Sequence, residues 1–176
     1  MPFRFGGRAR AQQHYERALR YYDEGEIALA IADLHEAIKN NRRQAKFFAA
    51  RGLLLVEWGD LAGAEADFQA ALQCNRDDTL AHYGLGMVAH AEERYEDAIH
   101  HFTRAIECAP ERGEPYYYRS VCHYEMGALD QAEVDMDFAR QLLLPEDARQ
   151  LDAARWMALY RREREKIRRR SPRNSA

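Results

Sequence analysis

Apolar and polar positions along this chain follow a helical period, and the pattern itself repeats. Four stretches align without a gap: "IALAIADLHEAIKNNR" from Ile27, "LAGAEADFQAALQCNR" from Leu61, "YEDAIHHFTRAIECAP" from Tyr95 and "LDQAEVDMDFARQLLL" from Leu129, each starting 34 residues after the one before. Self-similarity at a fixed period of this size marks a repeat architecture, in which each unit buries its apolar face against its neighbours. Within the stretches alanine recurs at Ala30, Ala64, Ala98 and Ala132. A large apolar residue follows at Leu34, Phe68, Phe102 and Met136, and alanine returns at Ala37, Ala71, Ala105 and Ala139. Spacings of four and three put these positions on one helical face, predicted to be a helix-to-helix seam.

Upstream of each stretch lies a second amphipathic segment. Ala18, Gly52, Gly86 and Ser120 share one register position there, preceded by Arg17, Arg51, Leu85 and Arg119. Small side chains let helix axes approach closely, so each unit reads as two antiparallel helices. Gly25, Gly59 and Gly127 mark the turn inside a unit, where a helix end needs a residue at positive φ. Glu93 holds that place in the third unit, which predicts a turn that is either strained or built differently.

The 34-residue helix pair, the small-large-small spacing and the proline of "ECAP" resemble the tetratricopeptide repeat family. The resemblance covers four units at residues 11–44, 45–78, 79–112 and 113–144. It departs from the family pattern at the early tryptophan, held here by His14, Phe48, His82 and Tyr116, and at the closing proline outside the third unit. It implies an all-α fold: a right-handed α-solenoid whose first helices line a concave groove for a peptide or partner protein. Residues 145–170 are expected to form a capping helix opened by Pro145 and the acids after it. Leu151, Ala154, Trp156, Leu159 and Tyr160 would be its buried face. Residues 1–10 read as a basic arm and 171–176 as a basic disordered tail.

Carried over position by position, the resemblance assigns to the groove Tyr15, Tyr83 and Tyr117, then Leu19, Leu53, Met87 and Val121. Next come Tyr22, Val56, His90 and Tyr124, and beside them Asp23, Glu57 and Glu125. The Leu19–Leu53–Met87–Val121 row is expected to face a ligand as an apolar stripe, the usual mark of an interaction surface. Burying one aliphatic side chain is worth about 1.5–3 kcal/mol, an exposed ion pair about 0–1 kcal/mol. The apolar row would therefore set affinity, and the acids would orient a partner of apolar and basic character. Tyr15 and Leu19 stand where members that clamp an acidic chaperone tail carry Lys and Asn, so recruitment of heat-shock chaperones by their C-terminal carboxylates is not expected.

Charge sharpens this reading. The net charge is −3 over 176 residues, but residues 1–10 carry +3, residues 161–176 carry +6 and the body between them −12. The aromatic, basic "MPFRF" suits an acidic, tyrosine-lined groove, its own or a neighbour's, which makes a self-assembling homo-oligomeric scaffold the alternative function. An Arg-rich tether to nucleic acid or an anionic membrane is a further alternative, but "YRREREKIRRR" contains its own acids and interleaves no aromatics after Tyr160. Nucleic acid is not the expected partner. No stretch reaches the roughly 18 apolar residues of a membrane span or the apolar run of a secretory signal, so the expected location is cytoplasmic.

Candidate chemistry is thin. His100 and His101 are adjacent and diverge by about 100° around a helix. No two of the seven histidines are three or four apart, so no metal site is expected. Cys74, Cys108 and Cys122 show no C-x-x-C spacing. No phosphate-binding glycine loop, G-x-S-x-G or H-E-x-x-H occurs. The reading is a non-catalytic interaction module with no cofactor.

Overall fold

The computed structural model describes residues 6–170; residues 1–5 and 171–176, including the predicted tail, lie outside the described residues. Every described element is α-helical: α1 Gly6–Asp23, α2 Ile27–Asn40, α3 Ala45–Trp58, α4 Leu61–Cys74, α5 Thr79–Ala91, α6 Tyr95–Cys108, α7 Gly113–Glu125, α8 Leu129–Leu142 and α9 Ala148–Arg170. The molecule is thus an all-α helical repeat, with each predicted stretch forming α2, α4, α6 or α8. Packing divides the chain after Val88 into two compact units. α1 starts at Gly6, so residues 6–10 of the predicted arm are helical, as the good helix formers of "RARAQQ" favour.

In the first unit the small positions sit where the pattern put them. Ala18 and Ala30 are buried with Leu34 and Leu54 between α1, α2 and α3. Phe68 is fully buried, and a Cβ on Gly52 or Gly84 would stand 2.7 Å or 2.1 Å from its ring, so α3 and α5 both need glycine against it. In the second unit Ser120 takes the small position, its hydroxyl donating to the carbonyl of Ala132 at 2.6 Å, so α7 and α8 are joined by a hydrogen bond as well as by packing.

The four turns share one construction. Glu26, Asp60, Arg94 and Ala128 donate their backbone N–H to Tyr21, Leu55, Ala89 and His123, each at 2.8 Å. The preceding residue closes a second bond, from Gly25, Gly59, Glu93 or Gly127 to Tyr22, Val56, His90 or Tyr124. This pair of bonds is the Schellman arrangement, which holds the residue after the helix at positive φ. Glu93 adopts it at φ 59°, beside 79°, 90° and 75° for the glycines. The third turn is built like the others, with a side chain in left-handed backbone that costs about 1–2 kcal/mol outside glycine.

A feature the sequence reading missed is an ion pair repeated with the same period. Arg51 forks onto Asp67 through two bonds of 2.7 Å, Arg119 does so onto Asp135 at 2.7 Å twice, and Arg17 grips Asp33 in the same way. The three aspartates are 4–6% exposed. Such a pair fixes how the first helix lies on the second, because breaking it strands a buried carboxylate. The third repeat holds Leu85 and His101 at these two positions, so both partners are exchanged there together.

The last helix differs from expectation in its start and its buried face. Pro145–Asp147 form the turn before α9. Asp147 caps the helix by accepting from the backbone N–H of Arg149 at 2.9 Å, while Gln150 donates to the Arg140 and Leu143 carbonyls that α8 leaves open. The face turned inward is Ala153, Met157 and Tyr160, with Trp156 and Leu159 half-buried. Leu151 is 65% exposed and Ala154 is exposed, correcting two of the five predicted cap contacts. The stripe is set by what α7 and α8 offer: Tyr160 lies under the repeat with its hydroxyl 3.0 Å from Ser120 Oγ.

Candidate functional site

The positions assigned to the inner face fall into two groups. In the first unit, α1 presents Leu19 and Tyr22 at 43% and 47% exposure, next to the exposed carboxylate of Asp23. Tyr15, one turn earlier, is half-buried and held from two sides: its ring lies 5.3 Å from that of Phe47, and the Lys46 ammonium sits 4.7 Å over its face. On α3, Leu53 and Val56 are half-buried against the core around Phe68, and Glu57 is exposed. Tyr83 and Met87 on α5 are half-buried. The first unit thus offers a mixed apolar surface with an acid at each of Asp23 and Glu57. Trp58, not singled out by the sequence reading, stands 62% exposed beside Glu57 at the end of α3. Its signal was a large aromatic directly before the turn glycine, outside the helical seam.

In the second unit the corresponding positions are covered. Tyr117 and Val121 are each 9% exposed within the cluster that α9 completes. The indole N–H of Trp156 donates to the Tyr117 hydroxyl at 3.2 Å. Tyr124 stacks on Tyr160 at 5.3 Å and meets Trp156 edge-on at 5.4 Å. Val121 of the expected ligand-facing stripe is therefore covered, because α9 packs over these residues of α7. His90 is half-buried, its ring 6.0 Å from Tyr95 and 6.1 Å from Tyr118, and burial lowers its pKa against the opposing pull of Glu125. Its ring fills the space between Tyr95 and Tyr118. Glu125 remains exposed.

The chemical candidates resolve into packing. His100 and His101 stand edge-to-face at 5.4 Å, and His101 takes the register of the paired aspartates. Burial pushes the Cys122 thiol up to about 12, the opposite of what a nucleophile needs. Among the described residues no three His, Cys, Asp or Glu side chains converge as metal ligands would. No described helix is long and apolar enough to cross a membrane.

Helix pairs of fixed period, closed by one turn type and in three of four repeats by one ion pair, define a helical-repeat fold. The family model described as tetratricopeptide repeat matches residues 15–79, 49–113 and 83–135, and the chain belongs to that family. The human protein "Tetratricopeptide repeat protein 16" is 28% identical over 110 residues, 58% of this chain but 13% of the human protein's length. Two solved structures share the fold at 20% identity. One, reported under "Functional Characterization of Pseudomonas Aeruginosa pilF", has a TM-score of 0.78 over 92% of this chain and 72% of that one. The other, the first TPR of Spaghetti (RPAP3) bound to the HSP90 peptide SRMEEVD, has a TM-score of 0.66 over 68% of this chain and 95% of that one.

Proposed function

We propose that the first unit of this chain is a non-catalytic docking surface. Its first helices receive an extended or helical segment of another protein that is apolar with flanking basic residues. The observation that carries this reading is the pairing, on one turn of α1, of the exposed Leu19 and Tyr22 with Asp23, repeated one period later by Glu57 beside half-buried Leu53 and Val56. Apolar side chains half out of water gain affinity on burial, and the acids orient a cation without supplying much energy. Tyr117, Val121 and Tyr124, packed against α9, are left out of the proposed surface.

The Arg-rich segment supports a tether poorly. Arg164 is spent on Asp130 and Glu133, Lys166 on Glu163 and Arg169 on Glu165. Location inside the cytoplasm accords with this reading and is part of the proposal.

Selection of random displayed peptides on the chain tests it. Enriched sequences should pair an aliphatic or aromatic residue with Lys or Arg. Their affinity should fall about tenfold or more in Leu19→Ala/Glu57→Lys, the loss of one buried aliphatic contact plus a repulsive charge. The peptide SRMEEVD, whose acids meet Asp23 and Glu57, is the expected non-binder. Enrichment of acidic peptides, or affinity unchanged in the variant, overturns the reading.

A further inference from the structure

We propose that two copies of this chain pair through the outer trough between α8 and α9, an isologous contact that lays α8 of each copy over α9 of the other. α8 and α9 run antiparallel, since Asp130 lines the trough with Arg164 at one end and Phe138 with Met157 at the other. The trough is about 530 Å³ and continues past Asp130 and Arg164 into a recess of about 400 Å³ beside Leu129 and Ile167. Its floor holds Val134 and Phe138, 57% and 47% exposed, with Met157.

A trough of the same size lies at the same register between α2 and α3, and two departures from the repeat set this one apart. The register of Val134 holds Ala32, Ala66 and His100 elsewhere, and that of Phe138 holds Glu36, Ala70 and Arg104, so the fourth repeat alone puts two large apolar side chains there. The second departure is in α9, which starts in the register of another first helix. Thirty-four residues after Gly127 stands Arg161, where the helix continues without turning. The side of α9 that would receive a second helix, at Leu151 and Ala154, is exposed. An apolar trough beside an uncovered helix face is the signature of an interface.

The charges select the occupant. One wall, on α8, carries Asp130, Glu133 and Asp137; the other, on α9, carries Arg161, Arg164 and, further along, Arg168. Within one copy Arg164 already joins the walls through Asp130 and Glu133, and Asp137 holds Arg140, so pairing exchanges these contacts for the same kind between copies. A partner of one sign would suit one wall and be repelled by the other. A second copy turned about an axis along the trough sets its basic wall on this acidic one and its acidic wall on this basic one, the self-complementarity that an isologous contact requires. An axis across the trough would set α8 on α8, acid against acid. Phe138 of each copy then meets Met157 of the other, and the exposed Arg161 lies over the region of Glu133 and Asp137.

Sedimentation equilibrium on the full chain at a series of concentrations tests this, with circular dichroism confirming that each variant is folded. Wild type should approach twice the chain mass. Val134→Asp/Phe138→Asp, both at exposed positions, should weaken pairing about tenfold or more. Arg161→Asp and Asp137→Arg should each weaken it, and the double variant should recover, because the swap restores opposite walls. Leu19→Ala should leave the mass unchanged, separating this contact from the docking surface of the first unit. A wild-type monomer up to about 1 mM, an apolar variant that pairs as well as wild type, or a double variant no stronger than the single reversals each overturns the proposal.

Discussion

Replacing Arg51 by Leu should destabilise the first unit far more than replacing Arg51 and Asp67 together by the Leu and His that the third repeat carries at the same register. The guanidinium makes two bonds of 2.7 Å to Asp67, and the side chains are 19% and 6% exposed. Removing one partner of a buried pair costs about 3–5 kcal/mol. Arg51 keeps a water-facing edge, which lowers the expected cost to about 2–3 kcal/mol. Removing both partners strands no charge, and apolar or neutral replacements of similar size are nearly neutral, within about 1 kcal/mol. The coupling energy between the two sites should therefore be at least about 1 kcal/mol, and larger by whatever Asp67→His costs alone. Urea denaturation followed by circular dichroism, on wild type, Arg51→Leu, Asp67→His and the double variant, gives the cycle. Hydrogen exchange reads the first unit separately where the units melt apart. A coupling energy under about 0.5 kcal/mol would show that the repeated pair does not lock the helices, and its period would then have no stabilising role.

Further outcomes follow from the same structure. Glu93→Gly should raise stability by about 1 kcal/mol, because the third turn already has φ 59°, and denaturation midpoints check it. Tyr160→Phe should cost about 1 kcal/mol through the lost contact with Ser120 and loosen α9, seen as faster amide exchange across residues 148–160. Burial lowers the pKa of His90 and of His123, so the unfolded chain takes up protons first as pH falls. Stability is then fully present above the ordinary histidine value and declines as pH drops through it, between about pH 7 and 5. His90→Phe, which keeps the ring between Tyr95 and Tyr118, should flatten that decline in thermal melts at several pH values.

Much of the fold was legible because the period of 34 fixes which residues meet: Ala30, Leu34 and Ala37 are buried as their spacing demanded. The third turn was not, because Glu93 hides a geometry set by backbone bonds to Ala89 and His90. The Arg–Asp pairs also escaped, since a charge on a helix is most often solvated and only the matching period of Asp33, Asp67 and Asp135 marks these as partners. For the expected inner face, sequence register alone could not show that α9 folds over Tyr117, Val121 and Tyr124. The apolar residues of α9 outnumber those it buries, and the choice of Met157 and Tyr160 over Leu151 comes from the surfaces of α7 and α8.

The docking surface is tested most directly by methyl-resolved NMR of the full chain titrated with a basic-apolar peptide recovered by display. Shift changes should concentrate on Leu19, Leu53, Val56 and Met87, leaving Val121, Val134 and Met157 still. Changes confined to α8 and α9, with the first-helix methyls of the first unit unmoved at saturation, would contradict the account.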